Sequence, residues 1–360
     1  MGETTTIGIG RKLLRNKGAV FGMLVIAIAL FIAVFAYLLA PDGSPDANRM
    51  IVEIGGRKPG YQQQFFLEPK SPQPTPAGWL KTLLNGKEDA FRYIPIQGYS
   101  VKDNLLILDK YIDEGLTEPV RMPLSSLQMP VESYFTTQTF YLGTDKYGRD
   151  MLSRLLVGVR VSLGVGAIAV LLSLTIGILL GATAGYYGGK YDDWIMWFIN
   201  VVWSIPTLLL VFAITLVLGK GYWQVFVAVG LTMWVNVARI VRGQLLSIRN
   251  LEYVDAARVL GYSDWRILLR HILPNIMGPI LVVAAANFAS AIVIEAGLSF
   301  LGVGVQPPQP SWGGMIKDNY NFIITQNPML ALAPGFAIML LVLAFNLLGN
   351  GIRDALDVRS

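Results

Sequence analysis

The chain has no cysteine and one histidine, His271. Without thiols there is no disulfide, no iron–sulfur cluster and no thiolate nucleophile. A lone histidine without cysteine argues against a transition-metal site, although carboxylates leave room for harder ions. Phosphate-loop chemistry is missing as well. The Gly-Lys pairs occur as "GKE", "GKY" and "GKG", with no Ser or Thr after them and no glycine at the required spacing before them. Neither H-E-x-x-H nor a G-x-S-x-G nucleophile elbow is present. Charge is scarce: 15% of residues are charged, against about 25% in an ordinary soluble domain.

Hydrophobic residues fill the gap, at 53% of 360 positions. Such a chain reads as an all-α integral membrane protein. A membrane crossing needs about 20 mostly apolar residues. The first candidate is Ala19–Ala40, after Arg11, Lys12, Arg15 and Lys17. It is longer than the about 7–15 apolar residues of a cleaved signal, so it is expected to stay as an anchor. Five more candidates follow at Val159–Thr183, Trp194–Leu218, Tyr222–Val241, Ile276–Gly297 and Met329–Leu348, giving an expectation of six transmembrane helices. Gly and Ala along the second suit close helix packing in lipid.

Basic residues orient the spans. With the N-terminus in the cytoplasm, the loop 242–275 carries Arg242, Arg249, Arg258, Arg266 and Arg270, while the outer loop "GKGYWQ" carries only Lys220. The first segment sets four basic residues against Glu3. That is the positive-inside bias, and it puts both termini in the cytoplasm. Arg149, Arg154 and Arg160 run against it, partly offset by Asp145 and Asp150. The net charge of +5 thus collects beside the spans, which points away from nucleic acid and towards lipid. Residues 41–150 are polar and Pro-rich in part. They are expected to form a mixed, loop-rich extracytoplasmic insertion with a few strands between the first two spans, either a spacer or a docking surface for a soluble partner.

One stretch does not look made for lipid: "EYVDAARVLGYSDWRILLRHILPNI", Glu252–Ile276. Tyr253, Ala256, Ala257 and Leu260 share one helical face. Gly261 stands where a helix commonly ends in the left-handed conformation. Ser263 is a candidate cap for a second helix whose apolar positions are Trp265, Leu268, Leu269 and Ile272, with a break expected at Pro274. Ala256 and Ala257 make a flat face that lets another backbone approach, which fits a helix docking into a protein groove. Elsewhere, Glu295 is the one acidic residue well inside an apolar run, a functional candidate by default. Its plainer role is to hold the outer loop. "GVGVQPPQPSWGGM" cannot form a helix throughout and brings Trp312, a residue suited to an interface.

Several of these stretches together resemble a known family. "YVDAARVLGYSDWRILLRHILPN" resembles the EAA loop of the permease subunits of ABC importers. "FYLGTDKYGRDMLSRLLVGVRVSLGVG", "ASAIVIEAGLSFLGVGVQPPQPSWGGMI" and "FNLLGNGIRDALD" resemble the dipeptide, oligopeptide and nickel permeases of the C type, covering about 141–357 in order. The hydropathy pattern gives residues 1–40 as cytoplasmic N-terminus and first span and 41–150 as the insertion, which is longer than the family's usual linker; the resemblance implies 151–360 as a five-helix MetI-like permease core. It implies that Tyr253, Asp255, Ala256, Ala257 and Gly261 couple to an ATPase, with Glu295 and Trp312 near the pore mouth. Asp255 replaces the usual Glu of the motif; Tyr141 stands for a common His, Asn200 and Asn350 for common Asp, and Val358 for a common Pro.

The implied function is a non-enzymatic pore subunit of an ATP-driven importer of di- or oligopeptides in a bacterial cytoplasmic membrane. The implied partners are a related second permease, two ATP-binding subunits and a soluble substrate-binding protein. ATP and Mg would lie on the partner ATPases, and no cofactor in this chain. The alternative is an ion-gradient-driven secondary transporter or channel. It calls for ionisable residues along the path and an internal repeat, and the sequence offers only Glu295 towards that.

Overall fold

A computed structural model describes residues 10–75, 78–127, 129–219, 221–324 and 327–356, so Glu3, Lys220 and Val358 lie outside the described residues. The helices are α1 (Lys17–Leu39), α2 (Trp79–Asn85), α3 (Met151–Tyr187), α4 (Gly189–Trp203), α5 (Thr207–Leu218), α6 (Tyr222–Ile248), α7 (Glu252–Val259), α8 (Asp264–Ile267), α9 (Met277–Phe300), α10 (Trp312–Asn319) and α11 (Met329–Leu356). The strands are β1 (Tyr61–Pro69), β2 (Phe91–Lys102), β3 (Leu105–Asp113), β4 (Leu116–Pro123) and β5 (Phe135–Phe140). The chain divides into two compact units, one of Met1–Leu30, Ser162–Gln306 and Ala337–Ser360, the other of Phe31–Val161 and Pro307–Phe336.

Among the described residues five helices are long and apolar enough to cross a membrane, and a sixth span is reached if α4 and α5 count as one. The run expected as a single span at Trp194–Leu218 is broken, with α4 and α5 meeting at 89°. Pro206 is the reason. It supplies no N–H to the ladder and itself leaves helical backbone, at φ −54 and ψ 125.

In the first unit α3 and α6 approach closely. A Cβ at Gly177 would lie 2.5 Å from Val237 Cβ, one at Gly181 2.5 Å from the Ala238 carbonyl oxygen, and one at Gly185 2.7 Å from Leu245 Cβ. Glycine every fourth residue thus brings two backbones together where lipid supplies no hydrophobic drive. Arg242 adds a bidentate pair with Asp192 that joins α6 to α4.

The second unit holds an antiparallel sheet of five strands in the order β4-β3-β2-β1-β5. It is more regular than the loop-rich module expected from the sequence. Successive residues on a strand point to opposite faces, and both faces of β1 are covered. Phe66 joins Ile96, Leu106, Leu108 and Tyr134 on one side, while Phe65 joins Ile51, Ile54 and Phe140 on the other. Asp103 and Asn104, at φ +49 and +62, turn β2 into β3, the two-residue hairpin geometry that these short polar side chains tolerate. The free edge β4 carries Pro119 and Pro123.

The link from β5 to α3 is organised by one buried carboxylate. Asp145 Oδ1 accepts from the backbone N–H groups of Tyr147 at 2.9 Å and Arg149 at 3.0 Å, and Oδ2 accepts from Arg149 Nε at 2.6 Å. Arg149 also donates to Asn48 Oδ1 at 3.1 Å. Asp150 accepts from the Ser153 N–H at 2.8 Å and caps α3. Beside it the Ile51 N–H donates to the Tyr147 carbonyl at 3.1 Å, which draws that loop against Gly148.

Candidate functional site

The segment Glu252–Ile276 forms the two-part structure that its pattern asks for. Glu252 and Asp255 lie in the first turn of α7 and Arg258 in its last, an order that complements the helix dipole. The Gly261 N–H donates to the Arg258 carbonyl at 2.9 Å and the Tyr262 N–H to the Ala257 carbonyl at 3.1 Å. With Gly261 at φ +74, this is a complete Schellman ending. Ser263 adopts extended cap geometry, but its side chain makes no cap hydrogen bond.

The orientation of α7 separates the two alanines. Val254 and Ala257 are buried, in a cluster with Tyr186, Val241, Leu245, Ile267 and Ile272. Ala256 is exposed, Val259 is 87% exposed and Leu260 69% exposed. Ala257 turns into this cluster and Ala256, about 100° further round the helix, turns away from it, so the two do not share one outward face. The outward face consists of Ala256 and Val259, flanked by Tyr253, Asp255 and Leu260.

Several contacts hold α7 in place. Asn275 Nδ2 donates to Tyr253 Oη at 3.1 Å. Tyr186 Oη, at the end of α3, donates to Asp264 Oδ1 at 2.7 Å. The Tyr262 ring stacks on His271 with centroids 5.7 Å apart, and the Arg266 guanidinium lies 4.2 Å above it. A hydrogen bond with Tyr186, aided by Asp255, holds the Arg258 guanidinium above its usual range. Tyr186 and Asn275 are missed by a reading of the segment alone, because their role depends on which helices meet.

The second half corrects the expected break at Pro274. Leu268–Ile272 forms a π-type turn and Leu273–Ile276 a 3₁₀ turn, and helical backbone continues into α9. Changing the hydrogen-bond step on either side absorbs the missing proline N–H without ending the helix. Leu268 and Ile272 face inward, while Trp265 and Leu269 are exposed at 61% and 44%.

The other two candidate residues are both buried, Glu295 at 1% and Trp312 at 3% exposure. Ser299 Oγ donates to Glu295 Oε1 at 2.6 Å and accepts from the Val305 N–H at 3.1 Å. The carboxylate thereby helps to fix the turn that follows α9. Trp312 is packed within the second unit: its ring lies on Gly158 and its indole N–H donates to the Leu155 carbonyl at 3.0 Å. Replacing Ser299 by alanine removes the donor to Glu295 and the acceptor for Val305 together. The expected cost is about 1–3 kcal/mol, read as a lower melting temperature of the solubilised protein. An unchanged melt would show that the turn is held by other contacts.

Comparison with known proteins supplies the family. A profile described as "Binding-protein-dependent transport system inner membrane component" matches residues 177–360. A second, "N-terminal TM domain of oligopeptide transport permease C", matches residues 8–52. The dipeptide transport system permease protein DppC of Alkalihalophilus pseudofirmus is 36% identical over 298 residues, covering 81% of this chain and 94% of the relative. The glutathione transport system permease protein GsiD of Pectobacterium atrosepticum is 44% identical over 217 residues, 60% of this chain and 72% of the relative. The oligopeptide transport system permease protein OppC of Bacillus subtilis is 42% identical over 217 residues, 60% of this chain and 71% of the relative. A solved inward-facing form of the MetNI methionine ABC transporter overlaps 57% of this chain and 98% of its own at TM-score 0.49 and 19% identity. The chain belongs to the family of binding-protein-dependent transport system inner membrane components, as a permease subunit of an ABC importer and not an enzyme.

Proposed function

We propose that this chain is one of two related permease subunits forming the pore of a di- or oligopeptide importer. Two cytoplasmic ATP-binding subunits drive it, and a soluble binding protein delivers the peptide. In this reading an N-terminal anchor and a five-helix MetI-like core make six spans, both termini are cytoplasmic, and the sheet-bearing insertion lies outside, where it contacts the binding protein. The peptide cargo follows the names of the relatives, and the positive-inside bias supports the orientation.

One observation carries the coupling role. α7 is pinned by Tyr253–Asn275, by the Schellman turn and by its buried Val254–Ala257 side, yet it holds Val259 and Leu260 into the open. A short helix fixed on one face and apolar on the other is built to enter a groove of another protein. The second helix, with Trp265 and Leu269 outward, suits the membrane surface better.

Ala256→Trp and Val259→Asp test this in the transporter reconstituted with its partners. Each should reduce ATP hydrolysis stimulated by peptide and binding protein about tenfold or more, equivalent to about 1.4 kcal/mol of lost docking energy. Membrane insertion should be unaffected, because neither residue packs inside the chain. Full stimulated activity in both variants would mean that α7 does not meet the ATPase. Uptake of labelled peptides, measured with and without the binding protein, tests the cargo. Transport of none of a panel of di- to pentapeptides would rule out the substrate class while leaving the coupling role standing.

A further inference from the structure

The insertion contains one element that its own sheet does not use. α2, "WLKTLLN", exposes Trp79 at 79%, Leu80 at 53% and Leu84 at 56%. At about 100° per residue, Trp79, Leu80, Leu83 and Leu84 form one side of the helix. Lys81, Thr82 and Asn85 form the other. Such a face turned to water would be hard to explain on a module with a well-covered sheet.

The position of α2 is fixed by Arg160 of α3. The guanidinium donates to the Leu83 carbonyl at 2.7 Å and the Leu84 carbonyl at 2.6 Å. These are two of the carbonyls that a helix end leaves unmet. The same guanidinium donates to the Ala33 carbonyl at 2.6 Å and the Val34 carbonyl at 3.1 Å on α1. α1 leaves helical geometry at Phe35, which opens those carbonyls to a side-chain donor. One arginine therefore ties the end of α2 to the wall of a membrane-crossing helix.

The depth follows from covalent geometry. Val34 is five residues before Leu39, where α1 ends, so the tie lies about 8 Å inside that end at 1.5 Å per residue. An amphipathic helix resting in a bilayer buries its apolar face about 5–10 Å into the boundary between headgroups and acyl chains. Around the tie, Phe31, Val34 and Leu38 on α1 are themselves 56%, 51% and 63% exposed. They are apolar residues of the same candidate span, open on the outside of the helix. Lys81 and Lys87 are exposed nearby, within reach of lipid phosphates in the manner of long basic side chains at an interface.

We propose that α2 is an interfacial anchor. It lies in the leaflet that contains the C-terminal end of α1, with Trp79, Leu80 and Leu84 among the acyl chains, and it moors the insertion to the membrane through Arg160. The occupant of this apolar face is lipid. A second protein subunit is the competing occupant that the test separates. The proposal depends only on α1 and α3 crossing the membrane, not on the cargo or on the role of α7.

The absence of cysteine makes the test direct. Leu80→Cys and Leu84→Cys each accept one nitroxide label, with Leu38→Cys as the lipid reference and Leu116→Cys on β4 as the water reference. The complete transporter, its partner subunits made cysteine-free, is placed in nanodiscs of phosphatidylethanolamine and phosphatidylglycerol. Power saturation then compares collisions with oxygen, which enters lipid, and with a neutral nickel chelate, which stays in water. At Leu80→Cys and Leu84→Cys oxygen collisions should exceed nickel collisions, as at Leu38→Cys, and the ratio should reverse at Leu116→Cys. Nickel access equal to that at Leu116→Cys would place α2 in water and overturn the anchor. Protection from both reagents would place it under another protein, and the lipid assignment would fail equally.

Discussion

Gly148→Ala should leave little folded protein in the membrane, while Gly60→Ala should cost only about 1–2 kcal/mol. Both glycines sit in the second unit with positive φ, +73 at Gly148 and +83 at Gly60. Left-handed backbone costs any residue with a Cβ about 1–2 kcal/mol, so both variants carry that strain. They differ in what the new carbon meets. At Gly60 there is nothing within 4 Å, whereas at Gly148 the Ile51 carbonyl oxygen lies 1.7 Å away. No L side chain fits there unless the backbone at Ile51 moves. That backbone is held, because the Ile51 N–H bonds to the Tyr147 carbonyl and the Ile51 side chain is buried against Phe65 and Phe140. Overpacking adds about 1–3 kcal/mol and a lost hydrogen bond about 1 kcal/mol. The sum approaches the lower end of a whole domain's stability, about 5 kcal/mol. Fluorescence-detected gel filtration of detergent extracts and thermal melts of both variants would show it. Equal melting temperatures would mean that the loop around Gly148 yields more easily than its contacts indicate.

Gly261→Val should give a protein that inserts normally and assembles poorly with its ATPase. Gly261 takes φ +74, and a Cβ there meets nothing within 4 Å, so steric overlap plays no part. Valine is β-branched and among the least able to hold left-handed backbone. The turn should relax, breaking the bonds from Gly261 to Arg258 and from Tyr262 to Ala257. Tyr262 would then leave its stack with His271 and Arg266, and the Val259–Leu260 face would leave its fixed angle. Stimulated ATP hydrolysis should fall tenfold or more in the reconstituted complex. Gly261→Asn should recover much of it, since asparagine tolerates this conformation. If valine and asparagine behave alike, the turn geometry is not what matters. Ala257→Trp answers a different question. Ala257 is 3% exposed inside the unit's own cluster, so that change should damage folding before docking.

The apolar helices and the helix–glycine–helix form of Glu252–Ile276 were legible because each rests on a local signal: a long apolar run, or a 3.6-residue period closed by glycine. Failures came where a neighbour decides. Both alanines of "DAAR" fit one apolar face on a helical wheel. Only packing of α7 against Val241, Leu245 and Ile272 shows that Ala257 turns inward and Ala256 outward. Pro274 looks like a stop, yet flanking π and 3₁₀ turns carry the helix past it, while Pro206 does break one. The residues at fault are alike, and the difference lies in whether the surrounding turns can re-space their hydrogen bonds. The packing of Trp312 was equally hidden, because nothing near it in the sequence points to Gly158, the residue that leaves room for its ring. The sheet was obscured because its strands are covered on both faces near β1, which erases the alternation of polar and apolar residues.

The prolines on β4 have a consequence for what can stick to the insertion. An open sheet edge is a template, because its unpaired N–H and C=O groups accept any extended chain that passes, whatever its side chains. Extended peptides are good guests for such an edge, and a second copy of the same module would be a better one. Pro119 and Pro123 each remove a donor from that ladder. A visiting strand would find two rungs missing along eight residues. The edge is thus poor at capturing peptide indiscriminately and poor at seeding stacked copies of itself, and recognition on that side must work through side chains.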